Sequence, residues 1–163
     1  MFRMKSEARI EEKAIILDTI KSEVLSPEDA KKLDDIYDNI CNILGYDNVI
    51  MKVHPRDKNN KSKIKKYLHT SIPFEYIKLE SNIERKLLIT LSSTAVVMPK
   101  ILFNQEPAVI LLYKLFNLKL GERDTRDSLY INCKSMYQNK AKFLIPKNME
   151  ELKTSLVRLK GEL

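Results

Sequence analysis

Short apolar runs alternate with helical patterns along this chain, and that alternation limits the fold more than any other feature. Residues 14–18 (AIILD), 49–53 (VIMKV), 75–79 (EYIKL), 87–91 (LLITL), 108–112 (AVILL) and 142–145 (KFLI) read as strands. Most are unbroken, as suits strands covered on both faces of a parallel sheet; the run at 75–79 alternates and is expected to be less buried. Between the first two runs, Ser26-Pro27-Glu28-Asp29 supplies a capping serine, a proline at the first helical position and acids in the first turn. Ala30, Leu33, Ile36, Tyr37, Ile40, Cys41 and Leu44 then recur at helical spacing, and Gly45 ends the pattern. A last helix is expected after Asn148, with Met149, Leu152, Leu156 and Leu159 on its apolar side. Strand, helix, strand in this order predicts an α/β fold: a doubly wound, mainly parallel sheet flanked by helices, Rossmann-like. Ligands of such sheets bind at the carboxyl ends of the strands, so the loops leaving those ends are the ones to search.

The 163 residues suit a single domain over 1–163, with an ordered core at about 14–160. Hydrophobic residues make up 44% and charged residues 31%, the balance of a globular chain. No apolar run approaches a membrane span, and the charged residues 1–13 lack the apolar centre of a signal peptide. Cys41 and Cys133 have no Cys or His nearby, so buried reduced thiols are expected rather than a metal site. A cytoplasmic location follows from these features. The net charge of +7 suits nucleic acid, anionic lipid or phosphorylated small molecules without choosing among them. Arg56, Lys58, Lys61, Lys63, Lys65 and Lys66 are clustered, but only Tyr67 and Phe74 lie near them, which argues against base stacking and a nucleic-acid partner.

The chain has three glycines, Gly45, Gly121 and Gly161, and no pair of them in a strand-to-helix turn. Dinucleotide fingerprints and P-loops are therefore absent, and a nucleotide would have to be held by hydroxyls, helix amides and basic side chains. Two strand ends carry such groups. The second strand runs into His54-Pro55-Arg56, where the proline forces extended backbone at His54 beside Lys52. The fourth runs into Ser92-Ser93-Thr94, three hydroxyls opening a helix expected over 95–103. One hydroxyl would cap; the others, with the first-turn amides, could hold a phosphate. Pro99 requires this helix to kink or to start late.

Taken in order, Lys52-Val53-His54-Pro55-Arg56, Ile72-Pro73-Phe74-Glu75, Leu91-Ser92-Ser93-Thr94-Ala95, Pro99-Lys100-Ile101-Leu102-Phe103 and Glu106-Pro107 resemble the bacterial sialyltransferases and polysialyltransferases. That family has a two-domain GT-B fold, uses CMP-sialic acid, and shares an acidic motif ending in glycine, a His-Pro pair and a Ser-Ser or Ser-Thr pair. The resemblance runs from about residue 14 to 113. It implies that this chain is the C-terminal, nucleotide-binding half. His54 would contact the CMP phosphate and assist its departure as an acid, with Pro55, Arg56, Ser92, Ser93 and Thr94 around the same phosphate. Of the acidic motif only Glu23, in Ser22-Glu23-Val24-Leu25, matches, and it would be the catalytic carboxylate. No cofactor is implied. The implied partners are CMP-sialic acid or a related nucleotide sugar, a capsule or lipooligosaccharide glycan acceptor, an N-terminal half-enzyme or a second copy, and the inner membrane face. The acceptor domain would lie outside this chain. A non-catalytic module that keeps the nucleotide site is the alternative.

Overall fold

Among the described residues, β1 (Ala14–Leu17) lies inside a six-stranded parallel sheet, flanked by β2 (Val49–Lys52) and β4 (Leu87–Thr90). β3 (Tyr67–Leu68) extends the sheet beyond β2, and β5 (Ala108–Leu111) and β6 (Phe143–Leu144) extend it beyond β4. The order is thus β3-β2-β1-β4-β5-β6. The structure, a computed structural model, describes residues 10–54, 56, 64–68, 74, 82–118 and 125–163. The expected strand at 75–79 and the site residue Pro55 lie outside the described residues. β3 was not expected: two residues paired as Met51↔Tyr67 and Lys52↔Leu68 leave no apolar run to read.

Side chains alternate across the sheet and build two cores. Ala14, Ile16, Val49, Met51, Leu87 and Ile89 face α2 (Pro27–Leu44) and α5 (Met149–Glu162). Ile15, Leu17, Ile50, Leu88, Val109 and Leu111 face α3 (Met98–Phe103) and α4 (Arg126–Met136), with Tyr130, Tyr137 and Phe143 filling that layer. Helices on both faces of an all-parallel sheet make this a doubly wound, Rossmann-like α/β fold. α2 begins as its sequence requires: Ser26 Oγ accepts from the Asp29 amide at 3.1 Å, and the buried stripe is Leu33, Ile36, Tyr37, Ile40, Cys41 and Leu44. Asn148 caps α5 in the same way, through the Glu151 amide at 2.9 Å. Cys41 and Cys133 are unpaired and buried on opposite faces, and burial pushes each thiol up to about 11. Among the described residues no helix is long and apolar enough to cross a membrane.

The segment after β4 departs from the expected helix over 95–103. A 3-10 turn covers Thr94–Val96, and α3 opens only at Met98. Pro99 is the reason. It has no N–H to give and is accommodated in the first helical turn, so the helix starts late rather than kinking.

Candidate functional site

β1 and β4 are neighbours in the sheet although β2 and β3 come between them in the chain. This is where the strand order reverses, and connections from β1 and β4 leave in opposite directions, opening a crevice at the carboxyl ends. Thr90, fully buried at the end of β4, closes the seam beneath it. Its hydroxyl donates to the Leu17 carbonyl at 2.7 Å and accepts from the Ser93 amide at 3.1 Å.

Leu17, Lys52 and Thr90 share one register row. His54 and Ser92 each follow that row by two residues, so they leave the sheet at the same level on either side of β1. Two strand spacings put their chains about 9–10 Å apart. The sequence-predicted groups therefore share the carboxyl edge of the sheet, on strands separated by β1 rather than adjacent.

On the β2 side, three of the expected residues meet. Arg56 reaches the Glu23 carboxylate at 3.5 Å, although 33 residues separate them. Glu23 stands on α1 (Lys21–Val24), the short helix after β1. The Arg56 amide donates to His54 Nδ1 at 3.2 Å. That bond places the proton of a neutral His54 ring on Nε2, which becomes the nitrogen able to donate to a ligand.

On the β4 side, the three hydroxyls have different surroundings. Ser92 is buried, its Oγ accepting from Arg126 Nη1 at 3.1 Å and its carbonyl from the Tyr130 hydroxyl at 2.6 Å. Ser93 caps the 3-10 turn through the Ala95 amide at 3.3 Å. Thr94 is exposed. The first-turn amides of a helix at Ala95 are absent from this arrangement, because α3 opens further on and is six residues long.

Two features of this edge have no motif in the sequence to announce them. Asp18, the first residue past β1, is buried; it accepts from the Tyr37 hydroxyl at 3.3 Å and lies 3.9 Å from Lys21 Nζ, which also binds Asp34 at 2.5 Å. Burial, then the Asp18 charge, raises the Tyr37 phenol well above its ordinary value, so Tyr37 stays a donor. An acid closing the apolar run AIILD was the available signal. Past β5, Tyr113 donates to Asp127, and Lys114 pairs with the same carboxylate at 2.9 Å. Those two bonds hold Asp127 below the usual carboxylate range, and burial, more than the Asp127 bond, pushes the Tyr113 hydroxyl up. No local motif could have joined Arg126 to Ser92, 34 residues away.

Among the described residues no group of three His, Cys, Asp or Glu gathers to hold a metal ion. A shallow hollow lined by Lys13, Ala14, Leu44, Asn48 and Lys160 lies at the amino ends of β1 and β2, opposite this edge. No family model, no curated protein and no solved structure matches the chain.

Proposed function

We propose that the chain is a nucleotide-sugar-binding domain of the glycosyltransferase type, the C-terminal half of a GT-B sialyl- or polysialyltransferase, with CMP-sialic acid as its donor. The observation that carries this reading is the position of His54 and Ser92-Ser93-Thr94, one on each side of β1, where the strand order reverses. A donor phosphate lying across β1 would meet His54 Nε2 and Arg56 from one side. From the other it would meet the serine turn, with Arg126 behind it. A guanidinium is a planar donor fork that phosphate oxygens accept.

Chemically, these groups bind and stabilise charge. Departure of CMP builds negative charge on a phosphate, and donors aimed at it lower the barrier. His54 contributes by donating through Nε2, because Nδ1 accepts from the Arg56 amide. To act as an acid it would need a proton on Nδ1 as well, and the Arg56 amide bond would have to open. Glu23 is placed beside Arg56, so its first role is to orient that guanidinium; service as a base would require the pair to separate. Both points favour donor binding over complete catalysis by these residues alone. The non-catalytic alternative keeps the same site.

Calorimetry with CMP tests this reading. His54→Ala removes one donor to a charged acceptor, worth about 1.5–3 kcal/mol. Affinity for CMP is expected to fall roughly tenfold or more, with UMP and inorganic phosphate binding more weakly than CMP to the wild type. Equal CMP affinity in wild type and His54→Ala would reject His54 as a phosphate ligand.

A further inference from the structure

We infer that Arg126 is a positioning residue of the proposed nucleotide site, acting through the Ser92 hydroxyl, which it sets up as a donor to a phosphate oxygen. The inference rests on the nucleotide reading and adds a residue to the same site. Of the hydroxyls in Ser92-Ser93-Thr94, that of Ser92 belongs to a buried residue, 5% exposed. A hydroxyl has one proton to donate and two lone pairs that accept. Ser92 Oγ accepts from Arg126 Nη1 at 3.1 Å, and a guanidinium has no lone pair to accept in return. The Ser92 proton therefore points elsewhere, and among the described residues nothing accepts it. Buried polar groups are nearly always paired, so a buried hydroxyl with a proton to donate marks the place of an acceptor that arrives from outside.

The surroundings define that acceptor. A cation bonded to the hydroxyl oxygen polarises the O–H bond and strengthens it as a donor to negative charge. An anionic oxygen fits such a donor better than a sugar hydroxyl does. Ser92 also shares a side of the sheet with His54. Val53 and Leu91 still belong to the core under α2, so alternation turns residues 54 and 92 to the other side, that of α4.

The first turns of α4 hold the arrangement from behind. Tyr130, fully buried, donates to the Ser92 carbonyl at 2.6 Å, and its ring lies 5.4 Å from that of Tyr113. Tyr113 in turn donates to Asp127, the neighbour of Arg126. On the strand side, Thr90 Oγ accepts from the Ser93 amide. Strand end and helix are thus fixed on both sides of the Arg126–Ser92 bond, as a preorganised donor requires. Ser93 caps the 3-10 turn and Thr94 is exposed, so neither is held in this way.

A double-mutant cycle, read by calorimetry of the full chain with CMP, tests the inference. Ser92→Ala removes the donor and should lower CMP affinity by roughly tenfold. Arg126→Met leaves the hydroxyl without its cation and should lower affinity by roughly fivefold. Arg126→Lys keeps a cationic donor and should recover most of that loss. In the Ser92→Ala background Arg126→Met should have no further effect, because the group it acts through is gone. Equal losses from Arg126→Met in both backgrounds would overturn the proposal, since Arg126 would then act on the ligand or on the fold directly. So would unchanged CMP affinity in Ser92→Ala. If His54→Ala still weakens binding in that case, the nucleotide reading stands without this inference. If the wild type does not bind CMP, the reading itself fails and the inference with it.

Discussion

Glu106 shows how much a single side chain can hold. Its carboxylate meets Lys100 Nζ and two backbone amides, and Lys100 also donates to Asn104 Oδ1 at 2.8 Å. Burial alone raises the Glu106 carboxyl, but the Lys100 bond and the two amides outweigh it, leaving the group below its ordinary value. A carboxyl lowered in the folded state stabilises the fold at every pH above the unfolded value of about 4.3, and that contribution drains away as pH falls through the folded value. Glu106→Gln should therefore cost on the order of 3 kcal/mol in urea unfolding at neutral pH, because Lys100 is left buried without its counter-charge. The gap should narrow below about pH 4. An unchanged gap in acid would show that the carboxylate charge is not what matters. This clasp was not visible in the sequence: Lys100 and Glu106 are six residues apart across a chain reversal at Asn104, whose left-handed backbone no periodicity announces. The same holds for Asp18 and Tyr37, which meet only because α2 packs back on β1.

Helices and strands were legible where their signals are local. α2 carries its start, its stripe and its stop in consecutive residues, and the structure follows them. Gly45 ends it at φ +92°, ψ 128°, a conformation that side chains rarely adopt, and an added Cβ would come within 3.1 Å of Asn48 Nδ2. Gly45→Ala should lower stability by about 1–3 kcal/mol in thermal or urea unfolding. Gly161, in the last turn of α5 with open space around its Cβ position, should behave oppositely. Alanine there is expected to be neutral or to stabilise by up to about 0.5 kcal/mol. Equal losses at both sites would mean that backbone strain at Gly45 is not the cause. Elements whose existence depends on partners were harder to read. β3 is a strand only because β2 pairs with it, and the segment 92–103 divides into a turn and a short helix at Pro99.

At the scale of the molecule, unbroken apolar runs foretold a parallel sheet, since only strands covered on both faces need them. The order of the strands was not legible, because it is set by where each crossover returns and not by any run of residues. That order gives the candidate site its meaning. It sets His54 and Ser92-Ser93-Thr94 across β1 from each other and brings Glu23 to Arg56. The proposed function puts a CMP-type ligand at the carboxyl edge of β2, β1 and β4. Backbone amide chemical shifts followed through a CMP titration test it most directly. Shifts are expected to concentrate at Asp18 to Lys21, His54 and Arg56, and Leu91 to Ala95. Shifts centred on Lys13, Asn48 and Lys160 at the amino edge, or none at all, would contradict it.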